Sequence, residues 1–377
     1  MKVYYWSPFI SKVATVSSVI RSANSLLKYS KSKTINVGVI NAIGEWDELK
    51  DTFNKKIEIL NLNSSKILNF LPKGGYLKSR TSYLIIFFLN FFKLLSLIRK
   101  KNPDFLIIHL MTSLPIVLAI FTNCKMILRI SGLPKLNVIR YIFWKLFSQR
   151  IYKVTCPTIA TYEYLLKKKI FPKNKLLILR DPIIELKNYP SKKFEKIDDA
   201  KLENKKFIIS IGRLTKQKNF ELLINSFSII IKKFPYYNLL IIGEGEYRNK
   251  LNKLIINKNL SEKVFLLGYK NNVYKYLKKA DFFILTSLWE DPGFVILEAA
   301  LSNTNIISSD CPNGPREIIK NQDFLFKNNS VEDLVNKFEN IEKKKLDDLF
   351  MQKILVKKEI KSFSTYQHFK NLNSILI

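Results

Sequence analysis

Short apolar runs alternate with longer amphipathic stretches along this chain, and that alternation predicts its fold. In the first half KVYYW, INVGVI, KIEILNL, DFLIIH, KMILRI and LLILR are rich in Ile, Val, Leu and aromatic residues and too short for helices. Runs without a polar face belong to strands covered on both sides, which predicts a parallel sheet with crossover helices. Helical patterns lie between them, over 13–29, 85–99 and 138–149. After Pro182 the pattern lapses into ELKNYPSKKFEKIDDAKLENKK, polar, charged and aperiodic, as in an interdomain linker. A second series then begins with KFIISIG, NLLIIG, KVFLLG, DFFILTS and NIISSD, each followed by a helical pattern. The prediction is two doubly wound α/β domains, 1–185 and 206–350, joined by 186–205, with 351–377 a helical segment free to pack back on the first. Ligands of such sheets sit beyond the carboxyl ends of the strands, so two domains facing each other make a cleft lined by strand-to-helix loops.

Composition supports folded domains: 47% of the 377 residues are hydrophobic and 13% aromatic. The formal charge of +32 implies an anionic partner, whether a membrane surface, a nucleic acid or a phosphorylated substrate, the alternative reading being a coding bias toward Lys, Asn and Ile. Nucleic-acid binding would need basic residues interleaved with exposed aromatics on one face, or a recognisable module, and neither is evident. Cys124, Cys156 and Cys311 are too few and too far apart for a disulfide framework or a zinc site, which suits a reducing compartment. MKVYYWSPFI reads as a strand and lacks the apolar core of a signal peptide, so a cytoplasmic location is expected. The run YLIIFFLNFFKLLSLI, 83–98, contains Asn90 and Lys93 and is shorter than the roughly 20 apolar residues that cross a bilayer. It reads as a buried helix, or as one lying in the membrane interface with Arg99, Lys100 and Lys101 at its end.

The loops after the second-half strands carry the chemistry. In SLWEDPGFVILEAA, 287–300, Asp291 is placed to cap a helix, Pro292 suits its first position and Gly293 admits a ligand to the backbone. Free N–H groups near Gly293, Phe294 and Val295 would then form an anion site, reinforced by the helix dipole. Glu290 precedes this helix and Glu298 lies one turn into it, so both carboxylates can accept hydrogen bonds from sugar hydroxyls beside a bound phosphate. The strand FIISIG ends at Gly212 and runs into RLTKQKNFELL, where Arg213 and Lys218 flank a loop that Asn219 could close as a helix cap. Gly243-Glu244-Gly245 permits close backbone approach, yet it is neither a dinucleotide fingerprint nor a P-loop. CPNGPREII, 311–319, sets Asn313 and Gly314 before a helix starting at Pro315.

Taken in order, GRLxxxK, GEG, the strand KVFLLG, SLWEDPGFVILEA and GPREI resemble glycosyltransferase family 4 over about residues 205–320. The resemblance implies a GT-B fold of two Rossmann-like domains, a nucleoside-diphosphate sugar donor, UDP- or GDP-linked, and transfer with retention, without a metal or other cofactor. It implies that Arg213 and Lys218 bind the diphosphate with the backbone at Gly293, Phe294 and Val295, that Gly243 and Glu244 lie on the donor side, that Glu290 contacts the transferred sugar, and that Glu298 holds the ribose. The first half departs from the family pattern, with WSPFISKVATV where relatives often carry a glycine-rich loop. His109, at the end of DFLIIH, stands where several relatives place a histidine near the reacting sugar; Arg129 and Ser131 would face the acceptor. His368, the other histidine, reads as structural. The acceptor implied is a lipid-linked, lipopolysaccharide or capsule saccharide, met peripherally at the inner face of an anionic membrane. Rival readings are a GT-B sugar-nucleotide epimerase, a non-catalytic sugar-nucleotide binder and a basic nucleic-acid-binding protein.

Overall fold

The computed structural model describes residues 1–10, 14–30, 35–63, 67, 71, 76–109, 113–184, 189–197, 202 and 205–377. The chain divides into two units, Met1–Ile183 with Ser362–Ile377, and Ile184–Lys361. Both are doubly wound α/β units, as the alternating pattern predicts.

The strands of the first unit are β1 (Lys2–Trp6), β2 (Asn36–Asn41), β3 (Glu58–Asn61), β4 (Phe105–His109), β5 (Lys125–Arg129), β6 (Lys153–Cys156) and β7 (Leu176–Ile178). They pair in parallel in the order β3-β2-β1-β4-β5-β6-β7. Alternate side chains of β1 enter opposite cores, Tyr4 and Trp6 one, Val3 and Tyr5 the other, which is why no polar face shows in its sequence. The first core also takes Ile86, Leu94 and Ile98 of the helix Tyr76–Lys101, Leu118 of the 3-10 turn Leu114–Ile120, and Trp144 of the helix Val138–Phe147. The opposite core takes Val16, Val19, Ala23 and Leu26, one stripe of the helix Ala14–Tyr29, and Leu372, Ile375 and Leu376 of the terminal helix Thr365–Leu376.

That terminal helix is pinned by His368. Its Nδ1–H donates to the Arg180 carbonyl at 2.7 Å, and its Nε2 accepts the Ser22 hydroxyl at 2.8 Å. Only the neutral ring can do both, and burial holds its pKa down to about 3. The returning segment begins at Ser362, not at 351: the helix Leu346–Ile360 packs on Phe294–Leu301 and Pro315–Ile319 in the second unit. Within the expected linker, Tyr189–Phe194 is a helix against Tyr274–Lys279 of that same unit, while 185–188, 198–201 and 203–204 lie outside the described residues.

The second unit has β8 (Lys206–Ile211), β9 (Tyr237–Ile242), β10 (Val264–Leu266), β11 (Phe282–Leu285), β12 (Asn305–Ser309) and β13 (Leu325–Phe326), all in parallel pairs, in the order β10-β9-β8-β11-β12-β13. β6 and β13 carry no apolar run long enough to register: β6 reads KVTC and β13 is two residues long.

The helix expected over 85–99 is longer, Tyr76–Lys101, with 26 residues. It stops where Asn102 turns left-handed (φ 45°) and sends its N–H back to the Ile98 carbonyl at 2.8 Å, with Pro103 next. Its 21-residue stretch Thr81–Lys101 is long and apolar enough to cross a membrane by length and composition, so the shortness inferred for 83–98 does not hold. Packing argues against a span instead: Tyr83, Ile86, Leu94 and Ile98 belong to the sheet's core.

Candidate active site

In the second sheet the winding reverses between β8 and β11, which are hydrogen-bonded neighbours with Phe282 opposite Ile208 and Phe283 opposite Ile209. Loops leaving the carboxyl ends of these two strands therefore meet, although Lys218 and Glu290 stand 72 residues apart. Lys218 Nζ lies 2.5 Å from Glu290 Oε1, and the Ser287 hydroxyl donates to the same oxygen at 2.5 Å. The Glu290 backbone N–H reaches the Pro312 carbonyl at 3.1 Å, and its side chain is buried. Backbone stitching holds the loops together: Leu288 N–H donates to the Gln217 carbonyl at 2.8 Å, and the Thr286 hydroxyl to the Lys218 carbonyl at 3.0 Å.

Glycines set the spacing. The Lys218 stem lies across Gly212, where a Cβ would come within 3.0 Å of Lys218 Cε. At Gly243 (φ 145°) a Cβ would sit 1.9 Å from the Gly212 carbonyl oxygen, so the close approach this residue allows is that of the neighbouring loop's backbone. Glu244 accepts from Leu214 N–H through its carbonyl at 2.9 Å, and its carboxylate pairs with Arg248 at 3.0 Å. Arg213, next to Gly212, is exposed, and no ion pair involves its guanidinium among the described residues.

The helix after β11 starts two residues later than its sequence suggests. Gly293 is the N-cap, left-handed at φ 89°, and the helix runs Phe294–Leu301. Pro292 lies before it, and the Asp291 carboxylate, expected as the cap, accepts from the Asn313 amide. A glycine cap supplies no side-chain oxygen to the helix's first N–H groups. Glu298 is half-buried one turn further on. Gly314 packs on the Pro292 carbonyl, where a Cβ would be 2.1 Å away, locking the β12 loop to the β11 loop. Asn219 also departs from its expected role: it is left-handed (φ 49°), makes no cap bond, and donates to Asn329 at 3.0 Å. Cys311 is buried beside Glu290 and Lys218, and burial pushes its thiol up to about 12, which keeps it protonated.

Arg213, Lys218, Gly243, Glu244, Glu290, Gly293, Phe294, Val295 and Glu298 thus all belong to loops or helix starts at one edge of one sheet. Gly212 and Ser287 complete this edge and carry a weaker signal: a strand-ending glycine, and a serine three residues before the glutamate.

His109, Arg129 and Ser131 belong to the first unit. His109 is buried and neither ring nitrogen has a hydrogen-bond partner among the described residues; burial, then Arg129 and His368, lowers its pKa well below the usual value. As placed, both ring nitrogens are shut off from solvent. Arg129 does not fit the acceptor-facing role expected of it: it is buried, donating to the Leu179 carbonyl at 2.9 Å and paired with Asp181. Ser131 is half-buried, its hydroxyl without a partner among the described residues. Among the described residues no three His, Cys, Asp or Glu side chains cluster to hold a metal.

The fold these features define is GT-B, two parallel-sheet Rossmann-like units. Anabaena HepE, solved in complex with UDP, shares it at TM-score 0.77 with 13% identity over 100% of this chain and 99% of that one. Residues 191–355 match the family model described as glycosyl transferases group 1. An uncharacterized glycosyltransferase of Methanocaldococcus jannaschii is 33% identical over 253 residues, 60% of this chain and 61% of that protein. The N-acetylgalactosamine-N,N'-diacetylbacillosaminyl-diphospho-undecaprenol 4-alpha-N-acetylgalactosaminyltransferase of Campylobacter jejuni is 38% identical over 37% of each chain. The matched stretches thus span about three-fifths or less of these relatives.

Proposed function

We propose that this chain is a glycosyltransferase of the family 4 type, moving a sugar with retention from a nucleoside-diphosphate donor to a lipid-linked or lipopolysaccharide-type saccharide at the inner face of a membrane. The observation that carries this is the meeting of Lys218 and Glu290 at the reversal point of the second sheet, beside an exposed Arg213 and a glycine-capped helix. The difficult event is departure of the nucleoside diphosphate. Arg213, Lys218 and the first N–H groups of Phe294–Leu301 offset the negative charge that grows on it. An arriving diphosphate competes with Glu290 for Lys218, and the carboxylate oxygen so released accepts a hydroxyl of the sugar being transferred. Glu298 holds the ribose hydroxyls. This chemistry draws its positive charge from the protein, so activity is expected to survive chelation. The lipid-linked acceptor is supported by the Campylobacter relative, whose name specifies a diphospho-undecaprenol saccharide.

The experiment is a thermal-shift screen of UDP-, GDP- and ADP-sugars, followed by transfer assays on Arg213→Ala. One donor class should raise Tm, and the variant should lose about 10²-fold in turnover, as for removal of one charge-stabilising group. Stabilisation by no sugar nucleotide, or unchanged turnover in Arg213→Ala, overturns the reading. Conversion of the donor without acceptor would favour an epimerase.

A further inference from the structure

We infer that the first unit docks on an anionic lipid bilayer through one apolar face built jointly by the helix Tyr76–Lys101, the end of the turn at Phe121, and the helix Val138–Phe147. The sequence pattern predicts the second of these helices over 138–149 but does not mark it as a membrane candidate. This deepens the membrane-borne part of the proposed function but stands on separate observations.

The topology sets these elements on the same side of the first sheet, because their buried residues share one core. They also touch in sequence: Phe91 stacks edge-on against Phe121 with ring centroids 6.3 Å apart, Arg99 donates to the Phe121 carbonyl, and Trp144 Nε1–H donates to Ser113 at 2.8 Å. With inner sides turned to one sheet, the outer sides of both helices face away from it together. A soluble protein places polar residues there. This one places Leu84, Ile85, Phe88, Leu89 and Phe92 on the outer side of the first helix and Val138, Ile139, Ile142 and Leu146 on that of the second. Phe92 is 78% exposed, Ile139 79% and Leu146 72%, so these side chains are not shielded by neighbours.

Charge identifies the occupant. Between Glu58 and Glu163 the only acidic residue is Asp104, and its carboxylate is taken by the Lys2 backbone N–H at 2.7 Å. The outer side of the long helix passes from apolar to basic at Lys93, Arg99 and Lys100, and Lys145 is exposed on the second helix. An apolar centre of aliphatic and phenyl side chains with a cationic margin matches acyl chains beneath phosphate headgroups. A nucleic acid would need its cations interleaved with the exposed aromatics, whereas here Phe88 and Phe92 stand among aliphatic side chains and the cations lie toward the margin. The contact is interfacial and not spanning, since insertion of Tyr76–Lys101 across a bilayer would strip its inner side from the sheet.

The test is co-sedimentation of the full chain with phosphatidylglycerol-containing vesicles and with pure phosphatidylcholine vesicles, at low and high salt. The chain should bind the anionic vesicles more strongly, and salt should weaken this by screening. Ile139→Glu with Leu146→Glu, and separately Phe88→Glu with Phe92→Glu, should each lower partitioning at least about tenfold, with circular dichroism and Tm unchanged because all of these positions are exposed. Equal binding to both vesicle types overturns the inference. So does undiminished binding by either double variant, including the case where the variants alter only self-association or nucleic-acid binding. Vesicle partitioning does not read sugar-nucleotide binding, so this inference and the transferase reading can fail independently.

Discussion

Lys218 and Glu290 lie against each other with side chains 14% and 6% exposed, so each has lost most of its water and leans on the other's charge. Removing one partner of such a pair leaves an uncompensated buried ion, at a cost of roughly 3–5 kcal/mol. Lys218→Met is therefore expected to lower stability more than an ordinary surface substitution. Because Glu290→Gln removes the charge that Lys218 answers, the double variant should be more stable than the sum of the singles by about 1–3 kcal/mol. Urea unfolding of the four proteins measures this coupling; additive losses would show that the two groups do not interact in solution. At this scale the residue types were legible and their partners were not. A lysine after one strand and a glutamate after another can be read as separate charged loop residues, but only the adjacency of β8 and β11 makes them a pair. Arg129 shows the converse. Its place at a strand's carboxyl end suggested the acceptor, whereas Asp181 and the Leu179 carbonyl hold it inside the unit.

The terminal helix Thr365–Leu376 makes the titration of one residue a property of a whole element. His368 keeps a pKa of about 3 in place of an ordinary 6.5, so in the native state it stays neutral where the unfolded chain takes up a proton. Its contribution to stability is complete above pH 6.5 and falls as pH drops from 6.5 toward 3, by up to roughly 1.4 kcal/mol per pH unit. Denaturation at pH 7 and pH 5 should show the unsubstituted chain losing more stability than His368→Gln over that interval. Equal losses would mean that His368 titrates normally. The helix Phe294–Leu301 teaches a related lesson. Its sequence offers Asp291 as a cap and Pro292 as a first residue, both good helix-start signals. Gly293 overrides them because the Asp291–Pro292 stretch is held by the β12 loop, Asn313 on the carboxylate and Gly314 against the Pro292 carbonyl. Tertiary contact chose among starts that local preference left nearly equal.

For the whole molecule, the chain's return at Ser362 makes the first unit depend on its far end. Truncation after Lys361 should expose the core that Leu372, Ile375 and Leu376 cover and remove the His368 bonds. Amide exchange in Ala14–Tyr29, β1 and β2 is expected to accelerate, while the second unit keeps its protection; unchanged exchange would show that the last helix adds nothing to this core. What the sequence determined alone was the class of fold and which loops of the second unit bring glycine and charge to the strand ends. Strands buried on both faces must be uniformly apolar, and charged loops that pack closely on one another need glycine, so both leave a local pattern. Tertiary structure alone decided which charges meet, which histidine is sealed in a core, where the chain crosses back, and that two helices turn apolar sides outward from the same sheet. Those outcomes depend on strand order and on contacts between distant segments, which no local periodicity encodes.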